Sequence, residues 1–262
     1  MESDLFDEWT ETPKLLIRAF GPGHVELQGR ALTSSDWTYS KSREMLFYLL
    51  SNPPRTKEKI GLALWPDAST AQLHDYFRIS LYHLRHALGN PDWVLHEDGL
   101  YAFNRARSYW YDVEAFEFHL SVAQLAPEGA AAPPHLSGDH LDRAASLYTG
   151  DFLDGTESEW CQLIREDLLL RYLQALVGWA GLHFQAGEYP QASEIYRRAI
   201  AKDGFLEAAH RGLMRCYARQ GELGQALRQY RSLAALLQAE FDAPPDPETV
   251  TLYESLRLGE YN

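Results

Sequence analysis

Five side chains within residues 71–88 have the chemistry to read a nucleic-acid base: Arg78, Tyr82, His83, Arg85 and His86. The guanidinium fork of arginine matches the two acceptors of guanine bidentately, and tyrosine and histidine add single donors and acceptors. At about 100° per residue, Leu73, Phe77, Leu81, Leu84 and Leu88 fall within about 40° of one direction and form a stripe that must be buried. Asp75, Arg78, Ile79, Tyr82 and His86 lie opposite, with His83 and Arg85 on the shoulders. Ile79 is apolar on the outer face, suited to a thymine methyl or to a neighbouring element. An ordinary amphipathic surface helix has the same wheel, so the helix alone does not decide. A second set, Lys41, Arg43, Lys57, Lys59, Arg105 and Arg107, has the long cationic side chains that neutralise phosphates.

The elements that would position these groups can be read on either side. Gly89 and Pro91 stop the helix, and Trp93–Glu97, the turn Asp98-Gly99 and Leu100–Phe103 follow as a hairpin. A recognition helix followed by a wing has this order. Upstream, Leu15–Phe20 and His24–Leu27 read as paired strands across Gly21-Pro22-Gly23. Ser40 opens a helix through Leu50 that Pro53-Pro54 ends, and Thr56 caps a second helix with Ile60, Leu62, Leu64 and Trp65. Residues 66–70 form a short loop, with Ser69 or Thr70 capping the recognition helix.

At this point the chain resembles a known family. Leu16–Pro22, Ala63-Leu64-Trp65-Pro66, Leu84–Gly89, Gly99-Leu100-Tyr101 and Asp112–Phe116 occur in the order of the OmpR-type winged helix of SARP-type bacterial transcriptional activators. Five stretches in order are more specific than any one. The resemblance implies binding to direct repeats in promoters and contact with RNA polymerase; a homodimer, at least on DNA, is expected beside it from the modest charge of the DNA-binding part. Trp65, Pro66, Asp67, Ala68, Ser69 and Thr70 would form one polymerase-facing loop.

The second half repeats itself. Gly187-Glu188 recurs as Gly221-Glu222, Gln191-Ala192 as Gln225-Ala226 and Tyr196-Arg197 as Tyr230-Arg231, each 34 residues on. That is the tetratricopeptide period. The glycines suit turns that need a positive φ, the alanines close helix approach, and the tyrosines the groove to the next helix. Ala144 and Tyr148 echo the second helix of a third, irregular unit. Leu147–Leu153, Trp160, Arg165, Glu240-Phe241, Pro245–Thr249 and Leu252-Tyr253 resemble the bacterial transcriptional activation domain that follows the winged helix in the same family. The fold expected is mainly α with a small β component. Residues 1–13 would be an acidic tail, 14–111 the winged helix and 112–262 the helical domain, with the low-complexity stretch Ala126–Pro134 as a loop inside it.

Charge sets limits on this reading. The 262 residues carry a formal −13. Residues 13–111 hold twelve Lys/Arg against nine Asp/Glu, residues 112–262 twelve against twenty-three, and residues 1–12 five acids and no base. The acidity therefore lies outside the proposed DNA-binding part, but +3 is modest, and a lone module is expected to bind weakly. No apolar run is long enough to span a membrane, the acidic N-terminus is unlike a signal peptide, and Cys161 and Cys216 form no CxxC pattern. A reduced, cytoplasmic protein is expected. No Walker loop, GxGxxG, receiver domain or nucleophile–base set is present. His83 and His86 lack the further ligands a metal needs. Neither an enzyme nor a cofactor is expected. The rival reading is an interaction module, with an effector, small molecule or protein, in the helical half and a degenerate winged helix. A gel shift on genomic fragments at two salt concentrations separates the two.

Overall fold

The computed structural model describes residues 14–124 and 134–260. The acidic tail and most of the Ala126–Pro134 stretch lie outside the described residues. The chain folds into two compact units, residues 14–115 with 149–166, and residues 116–148 with 167–260. These bounds differ from the 14–111 and 112–262 division read from sequence, because residues 149–166 pack with the first unit.

In the first unit, β1 (Leu15–Arg18), β2 (His24–Leu27), β3 (Arg30–Ala31) and β7 (Tyr109–Tyr111) form a sheet in the order β3-β2-β1-β7. Strand β1 runs antiparallel to β2 and parallel to β7. Leu15 and Ile17 alternate inward and are fully buried, the period of a half-covered strand. The short α1 (Ser34–Trp37) leads into α2 (Ser40–Ser51). Met45 through Leu50 are all buried, so α2 is the core helix around which the others pack. Next come β4 (Arg55–Thr56), α3 (Lys57–Leu64) and α4 (Thr70–Ala87). The Thr56 side chain accepts from the Lys59 amide at 3.4 Å and caps α3. Ile60 and Leu64 of α3 are buried, but Leu62, expected among the apolar contacts, is 61% exposed.

Ser69 caps α4 in a capping box with Gln72. Leu73, Phe77, Leu84 and Leu88 are buried as the wheel predicts; Leu81 is only half-buried. After a 3-10 turn at Pro91–Trp93, β5 (Val94–Glu97) and β6 (Leu100–Phe103) pair antiparallel, and β4 adds a third strand against β6. Asp98 and Gly99 have φ of 50° and 76°. Positive φ at both central residues is the hairpin geometry that matches strand twist, and an Asp-Gly pair is suited to it. Sequence reading missed β3, α1, β4 and β7. These elements are two to four residues long and carry no repeating pattern.

Residues 149–166 close the first unit. Phe152 forms a β-bridge with Phe20. The Gly21 amide donates to the Asp151 carbonyl at 2.9 Å, and the Leu153 amide to that of Ala19 at 2.8 Å. Arg165 donates to the Phe152 and Leu153 carbonyls, both at 2.7 Å, and to that of Thr156, which fixes the segment's shape.

The remaining helices are α5 (Asp112–Gln124), α6 (Pro134–Leu147), α7 (Glu159–Gln185), α8 (Tyr189–Lys202), α9 (Glu207–Arg219), α10 (Leu223–Phe241) and α11 (Pro247–Leu258). In the second unit the repeat is realised as expected. Gly187 and Gly221 turn with φ of 81° and 77°, and Ala192 and Ala226 are fully buried. The Tyr196 ring fills the space over Gly212 in α9, where a side-chain carbon would overlap it. Tyr230 stacks on Tyr253 with centroids 4.0 Å apart, and Tyr148 on Tyr172 at 4.1 Å. The third tyrosine thus behaves like the other two.

Candidate nucleic-acid interface

The outer face of α4 keeps the composition read from the sequence. His74, Asp75, Arg78, Ile79, Tyr82 and His86 are all exposed, Tyr82 by 64%. Tyr82 stacks parallel to His86 with centroids 6.2 Å apart, and its edge meets the His83 ring at 5.2 Å. Arg78 lies 3.6 Å from Asp75 in an ion pair whose members are both exposed. Such pairs contribute about 0–1 kcal/mol and yield readily to a phosphate or a base.

The wing is held at a fixed angle to this face. The Tyr101 ring of β6 meets Phe77 edge-on at 4.7 Å and stacks on His96 of β5 at 4.2 Å. Between helix and wing runs a groove of about 830 Å³ whose lining includes Lys57, His74, Arg78, Tyr82, His86 and Tyr101. Among the described residues no carboxylate lines it. Tyr101 and Asn90 were not among the site residues expected from sequence. Tyr101 was findable, since it stands two residues before Phe103 along β6 and so shares the hairpin face that carries that buried ring.

Several expected contacts are differently placed. Arg85 is half-buried, and its guanidinium donates to the Val94 carbonyl at 3.0 Å. It ties α4 to the wing and does not point outward; a shoulder position on a helix wheel does not show what a neighbouring strand offers. His83 is half-buried beside Tyr39, with ring centroids 6.5 Å apart. Of the six phosphate candidates, Lys59 is exposed and Lys57 lines the groove. Arg43 turns inward to the carbonyls of Pro22 and Gly23 and over the Phe47 ring, where burial lowers its pKa. Arg105 bonds the Leu50 carbonyl at 2.6 Å and Glu114 at 3.1 Å. Arg107 lies over the Trp93 ring at 5.0 Å and 3.5 Å from Asp92. Lys41 pairs with Glu44 at 2.7 Å. Each of these four has a partner within its own fold.

The loop between α3 and α4 divides in the same way. Pro66, Asp67, Ser69 and Thr70 are exposed and Ala68 half-buried, while Trp65 is buried against Tyr76, centroids 6.1 Å apart. Trp65 therefore anchors the loop and is not part of its outer surface. Among the described residues no group of three or more His, Cys, Asp or Glu is placed to hold a metal, and no helix is long and apolar enough to cross a membrane.

Comparison with known proteins bears on both units. The model of the bacterial transcriptional activator domain matches residues 111–257, more than half of the chain. The fold is similar to that of Mycobacterium tuberculosis EmbR, solved in complex with a low-affinity phosphopeptide. The TM-score is 0.80 at 18% identity, over 95% of this chain and 66% of that one. Comparison with curated protein sequences finds no match. With the domain model covering residues 111–257 behind a winged helix, the chain belongs to the family of the bacterial transcriptional activator domain and has the SARP-type order of parts.

Proposed function

We propose that the chain binds double-stranded DNA through the outer face of α4 and the β5–β6 wing. In this reading it acts on promoters as an activator that meets RNA polymerase through residues 66–70. One observation carries the proposal: Arg78, Ile79, Tyr82 and His86 stand exposed together along a helix whose opposite stripe is buried and whose flank is braced by a hairpin. Such a helix can enter a major groove, with the wing along an adjacent minor groove. Arg78 and Tyr82 are the base-side candidates and His86 is next, with Lys57 and Lys59 on phosphates. His83 and Arg85 support the helix.

The charge of the first unit bears on how this works. Residues 14–115 and 149–166 together hold thirteen Lys/Arg against sixteen Asp/Glu, a net −3. A single copy then gains little from general attraction to phosphates. Two copies on a direct repeat supply the missing affinity by linking two weak contacts. The helical unit, with its tetratricopeptide-like stack, is the candidate for pairing copies or for holding an effector. The test is selection of bound fragments from genomic DNA, then anisotropy on one-site and two-site duplexes. Specific, cooperative binding that Tyr82→Ala and Arg78→Ala weaken supports the proposal. Equal, weak binding to every duplex overturns it. Transcription with purified polymerase then tests Asp67→Ala in the loop.

A further inference from the structure

Ile79 differs in kind from its neighbours on the outer face of α4. At about 100° per residue it lies about 160° from the middle of the buried stripe, on the outermost line of the helix. Asp75 and His86 fall within about 40° of the same line, and Tyr82 and His83 stand beside Ile79 one turn on. All four can form hydrogen bonds; Ile79 is the aliphatic residue among them. Its sequence position suits either a thymine methyl or a neighbouring element. In the fold it is 41% exposed, so its own chain leaves much of the side chain uncovered. Arg78, Tyr82 and His86 line the groove beside the wing and Ile79 does not, which puts Ile79 on the crest of the helix. An exposed aliphatic residue alone is ordinary. This one occupies the line that reaches deepest when the helix enters a groove, and its β-branch restricts χ1, so the side chain is presented in a fixed direction.

The floor of the major groove offers such a side chain one apolar group, the C5 methyl of thymine. Cytosine lacks the methyl and presents an amino donor beside its place, and the purines present ring acceptors and a polar group. An aliphatic side chain pressed on any of these leaves a polar group without a partner. We infer that Ile79 is a specificity-determining residue that selects thymine at one position of the site by packing on its C5 methyl. The inference rests on the proposed entry of α4 into the major groove. Lys57 and Lys59, placed on phosphates, would hold the duplex without reading its sequence. The methyl contact does the reverse. Burying one methyl is worth about fourfold in affinity, and an unpaired amino group in its surroundings adds about tenfold against cytosine. Because the contact is apolar it releases no counterions, and its share of the affinity is independent of salt.

The experiment uses the full chain and a site selected from genomic DNA. In one repeat of a two-site duplex, each thymine is replaced in turn by deoxyuridine, which removes the methyl and keeps the base pair. Anisotropy on the wild type should show about fourfold weaker binding at one thymine, with the same ratio at low and moderate salt. Ile79→Ala should bind the thymine and deoxyuridine duplexes equally at that position. Arg78→Ala should weaken binding to both and keep the ratio. The Ile79 site is exposed and alanine is the better helix former, so Ile79→Ala keeps the fold, which its urea midpoint checks. A wild type indifferent to every deoxyuridine overturns the inference. So does a ratio that survives in Ile79→Ala, which would assign the methyl to another residue, or a ratio that fades with salt. A change in self-association without DNA, with the ratio intact, overturns it in favour of a contact between copies. In each of these cases the DNA-binding reading stands if Arg78→Ala and Tyr82→Ala still weaken specific binding. Equal, weak binding to every duplex overturns both.

Discussion

Arg78 and Arg85 sit on the same helix, and their surroundings give them opposite expectations. Arg78 is exposed and pairs with the equally exposed Asp75, so Arg78→Ala should change stability by less than about 0.5 kcal/mol. On a genuine operator it should weaken binding by about 1–3 kcal/mol. Arg85 holds the wing through the Val94 carbonyl, and its Nε is buried without a hydrogen-bond partner. Arg85→Ala should therefore lower stability by about 1–3 kcal/mol, mostly by leaving that carbonyl unpaired. Urea midpoints and anisotropy on the two variants check this; the same profile for both would remove the distinction. Asp112 provides a second residue-level expectation. It is 3% exposed and accepts from the Ala19 and Phe20 amides at 2.8 and 2.9 Å. Burial pushes its carboxyl up to about 6 against the pull of those amides, the Val113 amide and Arg18. Between about pH 4 and 6 the folded chain then holds a proton that the unfolded chain has released. Stability should fall as pH rises through that window, by up to about 3 kcal/mol, and this contribution should level off above it. Asp112→Asn, which starts less stable because its amide nitrogen cannot accept, should lack the slope. Parallel pH profiles for the two chains would show that Asp112 does not titrate in that range.

Among the elements, those with a strong repeating pattern were legible and those set by a single close contact were not. The α4 stripe, the Asp98-Gly99 hairpin and the 34-residue repeat each declare themselves several times over in sequence, so one ambiguous residue does not hide them. Leu81 departs from the stripe because the groove opens beside it, and Arg85 departs from the outer face because a strand carbonyl lies within reach. Both depend on tertiary neighbours that no helix wheel contains. Gly61 is a further case. In sequence it is a weak helix former inside α3. In the fold it is the point where α3 and α4 meet, since a side chain there would overlap Leu73 at several carbons. Gly61→Ala gains helix propensity of about 1 kcal/mol and should still lose about 1–3 kcal/mol net through overpacking. Because Leu73 belongs to the recognition helix, the same change should tilt α4 and weaken DNA binding more than Arg85→Ala does at equal stability loss. Thermal unfolding with anisotropy checks this. An alanine variant as stable as the wild type would mean that Leu73 moves aside freely.

For the whole molecule, compactness and sequence resemblance draw different borders. The activator-domain model begins at residue 111, yet residues 149–166, well inside it, complete the winged-helix unit. They bring the Phe152 bridge to Phe20, backbone bonds to Ala19 and Gly21, and the fully buried side chains of Phe152 and Leu153. Burying two such side chains stabilises by about 1.5–3 kcal/mol each, and each backbone bond adds about 1 kcal/mol. For a module of about a hundred residues that is a large part of a net stability of about 5–15 kcal/mol. A fragment ending at Ala115 should thus be much less stable than the same unit within the full chain, although it contains every element of a winged helix. Urea unfolding followed by hydrogen exchange at Ile17 and Gly21 tests this. The Gly21 amide, bonded to Asp151, should exchange fastest in the fragment. It should exchange at an intermediate rate in full-length Arg165→Ala, where the carbonyls of Phe152, Leu153 and Thr156 lose their shared donor. A fragment with the full chain's midpoint and slow exchange at Gly21 would make 149–166 an appendage, and the border at 111 would then be the folding border as well. The expected outcome carries a further consequence. DNA binding measured on such a fragment would report a partly unfolded recognition unit, so comparison of single-site and two-site operators must use the intact chain.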